Sequence, residues 1–247
     1  MSLDLYRFRN LSAVPGVVHA ITGRAGGVSQ GRCASLNVSY TVGDDPANVD
    51  ENLQRVAHDI GTERERLFAA YQVHGRAVTV VEPETPPRPR CDVLITRSPE
   101  RTLLLRFADC TPVLLADPVR HAVAAVHAGW RGSAVRAAAA AVEALQAAFG
   151  SNPRDLVAGI GPAIGPCCYT VGPDVVAAFG DRPYLFSDGR LDLWEANRLA
   201  LVEAGVPADQ IEVAGICTQC QSERFFSHRA NGGQPAGRFA AVIGLRP

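Results

Sequence analysis

Four apolar runs follow one another between residues 91 and 129, and they constrain the fold more than any other feature of the chain. They read CDVLIT, RTLLLRFADC, TPVLLAD and HAVAAVHAG. Short apolar runs separated by turn residues are typical of neighbouring buried strands, so the series predicts a sheet. The alanine-rich segment SAVRAAAAAVEALQAAFG comes next and predicts a helix that covers this sheet, with Ser133 as a possible N-cap and Gly150 as its stop.

Strand and helix signals of the same kinds recur along the rest of the chain. Asp45-Pro46 is a typical helix start, with the aspartate as N-cap and the proline at the first helical position. Strands are predicted in GVVHAIT, LFAAYQVHG, RAVTVVE, DLVAGIG, IEVAGICT and RFAAVIGL, and a further helix near LDLWEANRLALVEAG. The mixture predicts an α/β fold in which a single layered domain, residues 1–247, contains mixed β-sheets covered by helices.

The composition excludes several kinds of chemistry. All 24 basic residues are arginine, so Schiff-base catalysis by lysine and the lysine of a P-loop are both excluded. Any bound anion must therefore be held by arginine, by backbone N–H groups or by a helix N-terminus. The net charge of −1 and the lack of a membrane-length apolar segment predict a cytoplasmic protein without a nucleic-acid or membrane partner, whose seven cysteines are reduced.

Three of the apolar runs end in a side chain that binds soft metals. LFAAYQV ends at His74, TLLLRFAD at Cys110 and HAVAAV at His127. Because the ends of neighbouring strands converge, these residues are candidates to meet at one point. Two imidazoles and one thiolate suit Zn²⁺, and three protein ligands leave a fourth position for water or substrate.

The same residues allow a reading without metal. Cys110 is then a thiolate nucleophile with a nearby histidine as its base, as in a cysteine hydrolase or amidase. Asp109 orients an imidazole in either case, or only caps a turn. A small buried thiol with no chemical role is the third interpretation of Cys110.

Arginines on glycine-flanked turns are candidate anion ligands. They are Arg24 in TGRAGGVS, Arg131 in GWRG and Arg229 in FFSHRANGG. Arg131 is the best of the three, because it precedes the predicted helix, whose N-terminus also favours an anion.

The CxxC motif Cys217–Cys220 invites a redox or zinc-ribbon interpretation. A second CxxC is missing, since Cys167 and Cys168 are adjacent, and adjacent thiols seldom bind one tetrahedral ion. The motif is therefore interpreted as contributing to packing or as holding in place the residues that form the site.

Taken together, many ordered motifs of this chain resemble one family. They are TGRAGGVSQG, SLNVSYTVGDDPANVDEN, YQVHG, CDVLIT, FADCTPVLLAD, VHAGWRG, GIGPAIGPCCYTVG, LDLWEAN, and CTQC followed by FFSHR. The chain resembles the YfiH-type proteins, formerly called multicopper polyphenol oxidases or laccase-domain proteins and now purine nucleoside phosphorylases. The resemblance implies a layered α/β sandwich like that of certain bacterial toxin deamidases, and a zinc site carried by His74, Cys110 and His127.

The resemblance also implies an activity. It is the phosphorolysis of adenosine, inosine, guanosine and methylthioadenosine, with inorganic phosphate as co-substrate, together with adenosine deamination. Some relatives are described as editing factors for peptidoglycan precursors, so an amidase that uses Cys110 stays open as the alternative. Copper is the less favoured metal, because a blue-copper site typically adds an axial methionine and the only methionine is Met1.

Roles for the remaining candidates are hypotheses at this point. Asp109 or His228 is the acid or base that moves a proton during deamination. Asn37 and Arg24 are assigned to ribose and phosphate contacts, and Arg131 and Arg229 to substrate binding. The oligomeric state is left open between a monomer and a weak dimer.

Overall fold

The computed structural model describes residues 2–180 and 182–246. Its helices are α1 (Arg9–Ser12), α2 (Pro46–Ile60), α3 (Trp130–Ala134), α4 (Ala137–Phe149), α5 (Pro173–Ala178) and α6 (Leu193–Glu203). Its strands are β1 (Leu5–Tyr6), β2 (Val17–Thr22), β3 (Leu67–Ala69), β4 (Val78–Val80), β5 (Val93–Thr96), β6 (Thr102–Phe107), β7 (Thr111–Asp117), β8 (Ala122–Ala128), β9 (Val157–Ile160), β10 (Phe186–Ser187), β11 (Arg190–Leu191), β12 (Ile211–Val213) and β13 (Phe239–Leu245).

Two mixed sheets form the centre of the molecule. The first has the strand order β1-β2-β13-β6-β3, in which only β3 and β6 are parallel. The second has the order β12-β9-β7-β8-β5-β4, with parallel pairs at its two edges and antiparallel pairs between them. The four apolar runs supply β5 to β8. The structure therefore confirms that they are strands, but it places β6 in one sheet and the other three in the second.

The alternation of side chains along each strand explains the layers. Leu103 and Leu105 of β6 point towards the other sheet, where they pack in one core with Leu114 of β7. Leu104, between them, faces the opposite way and packs in a separate core against Leu53 of α2. The second sheet likewise buries its outer face against α4 and α6. The result is the predicted α/β sandwich, with one helical layer outside each sheet.

The helix predicted from Ser133 to Gly150 is broken in the structure. A first short helix, α3, starts directly after Gly129, and α4 begins only at Ala137. Arg136 separates the two in the left-handed region, with φ of 60°. Ser133 is thus no N-cap: it lies inside α3, where its hydroxyl accepts a hydrogen bond from Asn197. Gly150 ends α4 as predicted, with a left-handed φ of 70°.

Across residues 2–180 and 182–246, no helix is both long and apolar enough to span a lipid bilayer.

Candidate active site

The fold brings His74, Cys110 and His127 together. His127 lies near the end of β8, Cys110 lies in the turn between β6 and β7, and His74 lies in the loop after β3. One potential ligand atom from each lies within 4.8 Å of those from the other two. The two imidazole rings stand edge to face, with their centroids 4.8 Å apart. The sequence predicted this convergence from strand ends, although His74 lies five residues beyond the last residue of its strand.

The backbone around these side chains is unusual. His74 and Asp109 both have a positive φ, 62° and 86°, in the region that non-glycine residues seldom occupy. Gly129 follows β8, and a Cβ atom there would lie 2.8 Å from the Cys110 sulfur. The absence of a side chain at Gly129 therefore lets the backbone approach Cys110 closely.

Asp92 orients the site, and sequence reasoning missed it. This fully buried carboxylate accepts a hydrogen bond of 2.8 Å from Nδ1 of His127. It also accepts backbone N–H bonds from Val73, His74 and Gly75. Asp92 thus fixes one imidazole and the loop that carries the other. The signal was a carboxylate at the start of the otherwise apolar run DVLIT, which needs partners when buried.

The charges of the buried groups depend on one another. Burial acts to raise the pKa of the Cys110 thiol, but the His127 cation and hydrogen bonds from both imidazoles lower it to about 6. Burial acts to lower the pKa of His127, but the Cys110 charge and the Asp92 hydrogen bond raise it to about 9. Each of the two charges therefore stabilises the other.

This donor set fits a zinc ion. Asp92 accepts a hydrogen bond from Nδ1 of His127, which leaves Nε2 of that ring available to a metal ion. Cys110 ionises readily, and a thiolate is the form of cysteine that binds metals. Together with His74 they supply two imidazole nitrogens and one sulfur, with open space beside them, as in catalytic zinc sites.

Two cavities open onto His74 and Cys110, and the larger of them also onto His127. The larger has a volume of about 390 Å³ and the smaller about 340 Å³. His74, Ala108, Cys110 and His228 line both of them, so the candidate metal site lies at their junction. His228 is one of the predicted site residues, and its exposed side chain faces both cavities.

The larger cavity is basic. Arg88, Arg106 and Arg238 line it, and none of the described residues in its wall is an aspartate or glutamate. Burial and the charge of Arg88 lower the pKa of Arg106 to about 10. Sequence reasoning selected none of these three arginines, because each lies far from the others along the chain.

The smaller cavity combines aromatic, aliphatic and basic side chains. Trp130 and Tyr169 line it, and the predicted residues Arg131 and Arg229 stack on them at 4.1 and 5.2 Å from the ring centroids. Arg131 does not precede a long helix as expected. It lies within the five-residue α3, which is too short to offer an anion site of the kind predicted.

Asp109 lies in the wall of the smaller cavity but holds no imidazole. Its Oδ1 accepts hydrogen bonds of 2.7 Å from Thr218 and Ser227, and its Oδ2 accepts one of 2.7 Å from the backbone of Arg229. The carboxylate thus ties the 217–229 segment to the turn that carries Cys110. The orienting role considered for Asp109 belongs to Asp92.

Arg24 and Asn37 lie outside both cavities. The Arg24 guanidinium donates to the carbonyl oxygens of Ala34 and Ser222 and stacks on Phe226. The fully buried Asn37 amide bridges Asp44 and the backbone of Arg238. The structure therefore does not bring these two residues to the other candidates. Their polar groups stabilise loops instead.

Comparison with known proteins agrees with this architecture. Residues 18–246 match the family described as multi-copper polyphenol oxidoreductase laccase. The YlmD purine nucleoside phosphorylase of Geobacillus stearothermophilus is 40% identical over 94% of this chain and 91% of its own. A purine nucleoside phosphorylase of Deinococcus radiodurans is 41% identical, covering 98% and 93%. The crystal structure of YlmD from Geobacillus stearothermophilus superimposes with a TM-score of 0.89 at 38% identity, over 95% of this chain and 93% of that one.

Fold and site together define a layered α/β protein with a two-histidine, one-cysteine centre between two cavities. The chain belongs to the family of YfiH and YlmD proteins, whose family description still carries the laccase name.

Proposed function

We propose that this protein is a purine nucleoside phosphorylase that holds zinc through His74, Cys110 and His127. The observation that carries the proposal is the position of these residues between two cavities, one lined by Arg88, Arg106 and Arg238 and the other by Trp130 and Tyr169 with the arginines stacked on them. A nucleoside and a phosphate ion need such a pair of subsites, with the sugar between them. The names of the relatives, purine nucleoside phosphorylases at 40 and 41% identity, support the same activity.

Inorganic phosphate binds in the larger cavity. Arg106 and Arg238 extend into it, and the hydroxyl groups of Ser39 and Thr41 line the same wall. Burial, and after it the charge of Arg88, lower the pKa of Arg106, and a bound anion would stabilise the charged form of this guanidinium. Arginine is the only basic side chain longer than histidine that this sequence offers for the task.

The purine base binds in the smaller cavity. Trp130, Tyr169 and the guanidinium planes of Arg131 and Arg229 offer flat surfaces on which a base can stack. The ribose then lies at the junction, where C1′ faces the phosphate on one side and the base departs on the other. This arrangement aligns the attacking oxygen with the bond that breaks.

His228 is the candidate for proton transfer. Its side chain lines both cavities, and it takes no part in the hydrogen bonds described above for Asp92 and Asp109. Asp109 already accepts three hydrogen bonds, so it positions the segment around His228 and does not itself deliver a proton. When bound, zinc supplies Lewis-acid stabilisation of negative charge and activates water.

Adenosine deamination is the second reaction we assign to this site. The purine subsite adjoins the same three metal-binding side chains, and His228 lies within the wall from which it can protonate a leaving amine. Adenosine, inosine, guanosine and methylthioadenosine are the proposed nucleosides.

A paired measurement on purified protein tests the phosphorylase activity. Adenosine and inosine are incubated with and without phosphate, and free base and ribose 1-phosphate are followed, with metal content measured on the same sample. Phosphate-dependent release of base and ribose 1-phosphate in equal amounts is the expected result. Base release at the same rate with and without phosphate, or no turnover of any nucleoside, would refute the assignment. Inosine appearing from adenosine tests the deaminase separately.

A metal-free cysteine hydrolase acting on peptidoglycan precursors is the second candidate. The observation in its favour is the Cys110–His127–Asp92 arrangement, in which the thiol pKa is lowered to about 6. Activity on cell-wall peptides that survives complete metal removal and is lost in Cys110→Ala would favour this candidate. Loss of all activity with the metal would exclude it.

A further inference from the structure

A second cluster of sulfur atoms lies outside the lining of the two cavities. Cys167, Cys168, Cys217 and Cys220 each place a sulfur within 4.8 Å of the other three. The Cys220 sulfur lies 3.6 Å from that of Cys167 and 3.4 Å from that of Cys168. This group was not predicted from the sequence, because adjacent thiols such as Cys167 and Cys168 seldom bind one tetrahedral ion.

Local backbone structure brings the four side chains together. Ala163 and Cys217 form a parallel bridge, with hydrogen bonds on both sides of it that tie the loop after β9 to the loop after β12. A tight turn at Gly165 then reverses the chain. The carbonyl oxygen of Gly165 accepts hydrogen bonds from the backbone N–H groups of Cys168 and Tyr169. This turn directs both adjacent cysteines towards Cys220, which explains how neighbouring thiols converge here.

Packing does not account for the cluster. Cys217 is buried, but Cys167 and Cys220 are exposed and Cys168 is only partly covered. Most free cysteines lie in protein cores, where burial of the thiol stabilises the fold. Exposed thiols such as those of Cys167 and Cys220 contribute little stability in this way. The backbone N–H of Gly165 donates to the Cys217 sulfur at 3.3 Å, a contact that stabilises a thiolate.

We propose that these four cysteines form a structural zinc site, distinct from the centre at His74, Cys110 and His127. Zn²⁺ binds four thiolates in a tetrahedron with Zn–S distances of about 2.3 Å, which separates the sulfur atoms by about 3.8 Å. The two sulfur separations that involve Cys220, 3.4 and 3.6 Å, are close to this value and far longer than a disulfide bond, and all four sulfur atoms lie within 4.8 Å of one another. Metal binding exchanges four thiol protons for one Zn²⁺ ion, with no change of oxidation state.

The location gives the ion a mechanical role. The first loop carries Ile164 and Tyr169, both in the wall of the smaller cavity. The second carries Thr218, which holds Asp109, and continues to Ser227 and His228. One ion bound by two residues from each loop therefore fixes the separation of the two segments that frame the proposed base subsite. The proposal rests on the sulfur geometry and is independent of the reaction assigned to the cavity.

Metal counting on reduced full-length protein tests the proposal. Two zinc ions per chain are expected in the wild type after zinc loading and removal of excess metal. The double variant Cys167→Ser/Cys220→Ser should retain only the ion at His74, Cys110 and His127. The Cys110→Ser variant should retain only the ion bound by the four cysteines. Cys33→Ala removes a buried thiol elsewhere and should keep both. Cobalt in the Cys110→Ser protein should show the absorption of a tetrahedral four-thiolate site.

The result does not depend on the folding of a single variant. X-ray absorption at the zinc edge of Cys110→Ser should report four sulfur ligands and no imidazole. One zinc per wild-type chain, with that ion lost in Cys110→Ser, would overturn the proposal, as would an iron–sulfur spectrum. Alkylation of the native protein that finds Cys220 in a disulfide after purification under reducing conditions would also overturn it.

Discussion

Asp92 accepts a hydrogen bond of 2.8 Å from Nδ1 of His127 while it is itself completely buried. The contact fixes the tautomer of the imidazole and directs Nε2 towards Cys110 and the cavities. Since the same carboxylate also holds the backbone of His74, one side chain positions two of the three candidate metal ligands.

Asp92→Asn should weaken zinc binding at this centre about 10- to 100-fold, the range typical for loss of a carboxylate behind a metal-bound histidine. The amide keeps the shape of the side chain but not its charge. Competition with a chromophoric chelator measures the affinity. Asp117→Asn, which changes another buried aspartate away from the cavities, is the control. An unchanged affinity in Asp92→Asn would show that the carboxylate does not orient the ligand.

Gly129→Ala should disrupt the centre, because the new methyl group would lie 2.8 Å from the Cys110 sulfur and 3.5 Å from the His74 ring. We expect loss of zinc from this centre with the fold retained, seen as lower metal content and an unchanged circular dichroism spectrum. Gly75→Ala is a matched control, since its nearest neighbour would be 3.8 Å away. Full metal content in Gly129→Ala would mean that Cys110 can move aside freely.

Arg106→Ala should raise the KM for phosphate by about 10- to 100-fold, the equivalent of one lost hydrogen bond to a charged group. The KM for the nucleoside should change little, because Arg106 lines only the larger cavity of the two. Arg131→Ala should raise the KM for the nucleoside and change the KM for phosphate little. Initial rates with each substrate varied in turn make the comparison. If Arg131→Ala raised the phosphate KM and Arg106→Ala did not, phosphate would bind in the smaller cavity and the base in the larger one.

His19 should make the fold sensitive to acid. Burial and the charge of Arg7 lower its pKa to about 4 from 6.5, and its neutral Nε2 accepts a hydrogen bond from the backbone of Phe8. The unfolded chain therefore takes up a proton more readily, and stability present above pH 6.5 is lost as the pH falls to 4. The loss attributable to this group is roughly 3 kcal/mol.

Denaturant unfolding of the wild type and of His19→Gln over this pH range measures the effect. Glutamine can accept from Phe8 but does not titrate, so the variant should lose less stability between pH 6.5 and 4. Equal losses in both proteins would assign the acid sensitivity to other groups.

Much of the fold could be predicted because its signals are local. The runs that became β5 to β8 are short, apolar and bounded by turn residues, and Asp45 caps α2 through the N–H of Ala47, as its position before Pro46 indicated. The break between α3 and α4 was missed, because alanine favours a continuous helix and only the left-handed backbone at Arg136 interrupts it.

The sequence by itself determined the α/β class, the strands β5 to β8 and the three side chains that converge at the centre, since short apolar runs and residue chemistry can be read without a partner. Only the tertiary structure decided what surrounds them. Asp92 contacts His127 across 35 positions, the arginines of the larger cavity come from three separate segments, and the four sulfur atoms meet through a bridge between distant loops. Such contacts depend on how the two sheets and their loops pack, and no periodicity within a local segment encodes that packing.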